Sequence, residues 1–310
     1  MNEVSVSRLP PCSCPVLTIF ATVKTSFLAF VGWVLTGFGL GIALMSLILL
    51  AGGCSPSDFQ NWAISGTPAD ALILGWANVG HQLGAFVFPA FLFYWTQKQE
   101  QGSPLRFLPH WKMLVLGAFS LLIGAGCIDF FSALNLSLLE LSPALAEWAH
   151  AGEEMQSQLQ ALLMNQSSVS GMVQVVVIIA LVPALFEEYF FRGALFQWLL
   201  QWFSPWKVMV LTGFIFSLVH FQFEGFLPRW VMGTFLGFLA YRTQSLWPSI
   251  LAHFVNNLSG ILFFYQFDGS MKTPEDHWMS SPIWWGVSVI GMMGVIYWLW
   301  KNTRERGWLG

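Results

Sequence analysis

From Phe27 to Ala51 the chain reads FLAFVGWVLTGFGLGIALMSLILLA, with no charged residue in the run. About 20 predominantly apolar residues suffice for a helix to cross the hydrocarbon core of a bilayer. Inside that core the backbone must satisfy its own polar groups, which a helix does. Similar runs recur near 76–95, 113–133, 171–200, 207–223, 229–244, 247–265 and 283–300. The fourth is unusually long and the sixth unusually short. The pattern predicts an all-α fold, a polytopic membrane helix bundle with about eight transmembrane helices. Composition excludes a soluble alternative: 9% of the 310 residues are charged and 55% are hydrophobic. Ordinary soluble domains carry about 25% charge, so this chain has too little to cover a water-facing surface. The 17 tryptophans and 29 phenylalanines suit lipid contact and interfacial anchoring.

An even number of spans places both termini on one side. With that side cytoplasmic, the inner segments carry Arg8, Lys24, Lys98, Arg106, Lys112, Arg192, Lys207, Arg242, Lys301, Arg304 and Arg306. The opposite side carries Arg229 and Lys272. Lysine and arginine accumulate on the cytoplasmic side, so the expectation is a multi-pass protein of the cell (inner) membrane with N- and C-termini cytoplasmic. Residues 134–168, LNLSLLELSPALAEWAHAGEEMQSQLQALLMNQSS, are acidic and lack lysine and arginine. Their leucines fall at three- and four-residue spacings, which predicts one or two amphipathic helices on the outer surface. The organisation expected is an N-terminal membrane region (1–170), a catalytic core (171–265) and a C-terminal span with a cytoplasmic tail (266–310). Cys12, Cys14, Cys54 and Cys127 make neither a metal-type spacing nor a disulfide framework.

The polar residues inside the apolar runs carry the functional signal. LVPALFEEYFFRGALFQWLL (181–200) holds Glu187, Glu188 and Arg192, and a charge at mid-membrane costs about 2.5–3.5 kcal/mol on insertion scales. Glu188 and Arg192 are four residues apart, share a helix face and can pair. Glu187 is left without a partner nearby in sequence. FSLVHFQFEGF places Phe216 and His220 on one face of the fifth span, and LAHFVNN places His253 and Asn257 on one face of the seventh, with Asn256 pointing elsewhere. With the fourth helix running to about Phe203, Glu187 lies ~24 Å from its inner end and His220 ~21 Å from Trp206, whereas His253 is only ~10 Å past Leu246. Tilt or a broken helix must bring the three level.

Two chemistries fit these groups. A carboxylate and an imidazole sharing a water can act as general base, with His253 and Asn257 donating to a tetrahedral oxyanion. Two histidines and a glutamate are also adequate zinc ligands with water in the open position. Interhelical hydrogen bonding is the purely structural alternative for the histidines and asparagine. No G-x-S-x-G, H-E-x-x-H or Cys–His motif signals another hydrolytic design.

Taken together, EEYFFR (187–192), FSLVH (216–220) and HFVNN (253–257) resemble the CAAX protease and bacteriocin-processing (CPBP) family, also called the Abi or type II CAAX-endopeptidase-like family. Its pattern is E-E-x-x-x-R, F-x-x-x-H and H-x-x-x-N/D, here in order and on separate predicted spans. The resemblance covers roughly 172–265, and GFLPR (225–229) looks like a loop of one bacterial branch. It implies an intramembrane glutamate endopeptidase without cofactor or metal. Glu187 and His220 would activate the water, His253 and Asn257 would form the oxyanion hole, and Glu188 and Arg192 would support them. The implied partners are a peptide or membrane-protein substrate, rather than a prenyl one, and the lipid bilayer, with no nucleic acid; oligomeric state stays open. A non-catalytic membrane immunity or partner-binding protein, and a zinc-dependent protease, are the alternative readings.

Overall fold

The computed structural model describes residues 25–55, 66–97, 108–266 and 281–303. Within them the chain forms helices that we number α1 (Phe27–Ala51), α2 (Pro68–Thr96), α3 (Trp111–Leu139), α4 (Pro143–Met164), α5 (Val169–Leu199), α6 (Pro205–Leu218), α7 (Phe226–Thr243), α8 (Trp247–Gln266) and α9 (Pro282–Thr303). No strand occurs among the described residues. Five helices, α1, α2, α3, α5 and α9, are long and apolar enough to cross a membrane, and α6 is a shorter apolar helix. Large apolar side chains such as Leu28, Leu35, Ile283 and Ile290 face outward, as lipid contact requires. The molecule is a helical membrane bundle.

Helix starts follow from local chemistry. Thr67–Pro68, Ser142–Pro143, Ser204–Pro205 and Ser281–Pro282 each open a helix, since proline at the first position forgoes an N–H that has no intrahelical partner. Thr67 completes a capping box with Asp70, and Ser168 Oγ accepts from Gly171 N at 3.0 Å at the head of α5. Close approach of helices depends on small residues, as is usual in membranes. A Cβ on Gly84 of α2 would stand 2.2 Å from the backbone nitrogen of Gly41 in α1. One on Gly213 of α6 would stand 2.6 Å from the backbone nitrogen of Thr234 in α7. Aromatic residues fill the core beside α5: Phe30 stacks on Trp198 with centroids 4.3 Å apart, and Phe93, Phe191 and Phe196 are buried there.

Several boundaries differ from the sequence reading. Residues 134–139 extend α3 instead of lying on the surface, so the acidic segment contributes one surface helix, α4. The fourth span ends at Leu199 and not near Phe203. The fifth ends at Leu218, where residues 219 and 220 form a turn. GFLPR is largely the first turn of α7. Arg192, counted above with the cytoplasmic segments, lies buried inside α5, which leaves ten basic residues against two in the charge comparison. Of those, Arg8, Lys24, Lys98, Arg106, Lys272, Arg304 and Arg306 lie outside the described residues, as do Cys12 and Cys14.

Candidate active site

Glu187 and Glu188 sit where α5 changes its winding. The segments Val176–Leu181 and Tyr189–Leu195 adopt the wider i→i+5 turn, and the ordinary helical stretch Val182–Glu188 lies between them. Pro183 has no N–H to offer the carbonyl of Ile179 four residues back. That carbonyl instead accepts from Asn257 Nδ2 at 3.2 Å, so the proline break binds α5 to α8. Wide turns of this kind gather at functional sites because they re-aim the side chains around them. The helix is not broken by them: α5 runs without interruption from Val169 to Leu199 with both wide turns inside it.

The expected Glu188–Arg192 pair forms, with Arg192 Nη1 donating to Glu188 Oε1 at 2.7 Å. Both side chains are fully buried. Glu188 Oε1 also accepts from His253 Nδ1 at 3.0 Å, and Arg192 Nη2 donates to the Gly233 carbonyl at 2.9 Å. The pair therefore ties α5 to α7 and α8. The guanidinium carbon lies 4.6 Å from the centre of the Phe216 ring. The same ring meets His220 edge-on at 4.9 Å and His253 at 5.9 Å. Glu187, unpartnered in the sequence reading, has its Oε2 4.0 Å from His253 Nε2. His253 thus stands between two carboxylates.

His220 lies just past α6 and not on it. Its Nδ1 donates to the Phe216 carbonyl at 2.6 Å, which leaves Nε2 with the free lone pair. Phe221 then takes a left-handed conformation (φ 54°) and turns the chain back. Asn135 of α3 pins the loop that follows: its Nδ2 donates to the Phe223 and Glu224 carbonyls at 2.8 and 2.7 Å, and its Oδ1 accepts from Leu227 N at 3.2 Å. On the outer side of this loop His150 of α4 pairs with Glu224, and Trp148 packs on Phe223 at 4.7 Å. Burial lifts the Glu153 carboxyl of α4 above the usual range, against the lowering influence of Arg229.

Glu187, His220, His253 and Asn257 all line one cavity of about 570 Å³. Glu188 and Arg192 stand behind that wall. Asn256 lines the cavity too, contrary to the helical-face argument, with its Nδ2 3.4 Å from Asn257 Oδ1. The sequence reading counted Arg229 with the outer charges and within GFLPR but not with the site; its Nη1 and Nη2 donate to the Gln222 carbonyl and Oε1 at 3.2 and 2.7 Å while the side chain faces the cavity. Its position nine residues after His220, in the first turn of a helix that carries no other charge until Arg242, was the available signal. Among the described residues no group of three His, Cys, Asp or Glu side chains is placed to hold a metal ion.

Fold and site define a class: a helical membrane protein with paired carboxylates and two histidines gathered at a cavity within the bundle. Residues 169–259 match the family described as Type II CAAX prenyl endopeptidase Rce1-like, so this stretch is a domain of the CAAX-protease family. The match runs from the start of α5 into α8 and contains all six motif residues. No curated protein and no solved structure matches the chain.

Proposed function

We propose that the protein is an intramembrane endopeptidase that hydrolyses a peptide bond of a membrane-associated peptide or protein with water activated by Glu187 and His220. The observation that supports this most is the convergence of Glu187, His220, His253 and Asn257, from α5, the α6–α7 turn and α8, on a single cavity. Water held by the Glu187 carboxylate and His220 Nε2 gives up a proton to the Glu187 carboxylate as its oxygen bonds to the scissile carbonyl carbon. The carbonyl electron pair moves onto oxygen. That oxyanion accepts from His253 Nε2 and from the Asn257 N–H not used on Ile179. In this step Nδ1–H of His253 stays on Glu188 while Nε2–H points to the oxyanion. When the intermediate collapses, the C–N bond breaks and the abstracted proton passes to the departing amine. Glu188 and Arg192 position His253 and touch no substrate. The setting is the cell (inner) membrane with both termini cytoplasmic.

The test is cleavage of candidate peptides by purified protein in detergent. Glu187→Gln and His220→Ala are each expected to lower kcat by about 100-fold or more, the usual worth of a general base. Wild-type rates in both variants would overturn the assignment. Activity that survives chelation supports the metal-free mechanism, whereas loss restored by zinc would replace it. Comparing membrane peptides from cells carrying wild type or Glu187→Gln identifies the substrate. Full complementation of a deletion strain by Glu187→Gln would point to a non-catalytic membrane factor.

A further inference from the structure

The cavity extends beyond the catalytic group, and its remaining polar lining is of one chemical kind. Asn78 and Gln82 of α2 and Gln156 and Gln160 of α4 all face it. α2 packs against both α4 and the Val182–Glu188 stretch of α5, so this amide wall adjoins the catalytic carboxylate. Gln82 is 6% exposed, and its Oε1 is buried with no hydrogen-bond partner among the described residues. A buried carboxamide oxygen of that sort is unfavourable unless something supplies a donor. The spacing indicates what does. Each pair is four residues apart on its helix, which sets the two amides about 6 Å apart along the axis. The main chain of an extended peptide repeats every two residues, about 6.6 Å, with an N–H and a C=O presented at each repeat. A carboxamide holds both a donor and an acceptor, so it can pair with main-chain groups whatever the side chains are. A helical segment has already spent those groups on itself.

We propose that Asn78, Gln82, Gln156 and Gln160 form a substrate subsite that binds the main chain of an extended peptide segment, with Gln82 Oε1 accepting from a backbone N–H. The subsite rests on the endopeptidase reading, since it delivers an unwound segment to Glu187. It makes the site tolerant of side-chain sequence and intolerant of altered backbone.

The experiment equilibrates wild-type protein in nanodiscs with a library of random nonapeptides and with the same library N-methylated at single backbone positions. Retained peptides are quantified by mass spectrometry, and new termini report cleavage separately. Wild type should retain unmethylated peptides over those methylated at one or two positions by about tenfold, the effect of one lost hydrogen bond of ~1.4 kcal/mol. Gln82→Leu and, independently, the half-buried Gln156→Leu should lose that preference while keeping the wild-type thermal midpoint to within a few degrees. Equal retention of both libraries by wild type, a preference undiminished in both variants, or no peptide retained at all would each overturn the subsite. Backbone-selective retention without Glu187-dependent termini would keep the subsite and reject the peptidase. Cleavage with no backbone selectivity would do the reverse.

Discussion

At the scale of single residues the site depends on a division of labour between two adjacent carboxylates. Glu188 spends Oε1 on Arg192 and His253, both within hydrogen-bonding distance, whereas Glu187 has only a 4.0 Å approach to His253; the Oε2 atom of each has no hydrogen-bond partner among the described residues. A buried pair that loses one member leaves an uncompensated charge, at a cost of about 3–5 kcal/mol, while replacing both members with neutral groups is far less damaging. Arg192→Met is therefore expected to lower the thermal midpoint in detergent sharply. The double variant Glu188→Gln/Arg192→Met should recover much of that loss and still have low activity, because His253 would lose its anionic anchor. If the single and double variants were equally stable, the pair would not be the structural tie described. The four-residue spacing of Glu188 and Arg192 was legible in the sequence because helix geometry is local. The His253 bond was not, since it spans 65 positions and depends on how α5 and α8 cross.

At the scale of elements, two local devices set how the helices meet. In α5, Pro183 and the wide turns around it free a carbonyl for Asn257 and rotate Glu187 toward the cavity. Between α1 and α2, Gly37, Gly41 and Gly84 let two backbones touch: a Cβ on Gly84 would lie 2.4 Å from Gly41 Cα and 2.8 Å from the Gly37 carbonyl oxygen. Gly84→Ala is expected to destabilise the fold by about 1–3 kcal/mol, as overpacking does, because backbone cannot move aside as a flexible side chain can. Gly39→Ala, where the added methyl meets nothing within 4 Å, should leave stability unchanged or raise it by up to about 1 kcal/mol, the helix preference of alanine over glycine. Thermal unfolding in one detergent compares the two, and equal effects would show that the α1–α2 approach tolerates a methyl group. The prolines were visible in the sequence, but the start of α2 at Pro68 was not, since its apolar run was read from 76. Which glycines bear a contact was not, because Gly39 and Gly41 look alike until a second helix is placed against them.

At the scale of the whole molecule, the remaining prediction concerns direction. On the proposed orientation, with both termini cytoplasmic and eight crossings, α4 and the His150–Glu224 contact would lie on the outer face. A cysteine introduced at exposed Ala151 should react in intact cells with a membrane-impermeant maleimide. One introduced at Lys301 should react only after permeabilisation. The opposite pattern would invert the topology. The sequence by itself determined the class of fold, because the scarcity of charge and the length of the apolar runs leave a helical bundle as the only way to satisfy a backbone in hydrocarbon. It also determined the six motif residues, whose types and spacings are one-dimensional facts. Only the tertiary structure decided which of them share the cavity, that Asn256 and Arg229 join them, that His220 sits on a turn and that amides line the other wall. Those depend on the crossing angles, the wide turns and the glycine contacts between helices, and no such relation is encoded in the spacing along one chain segment.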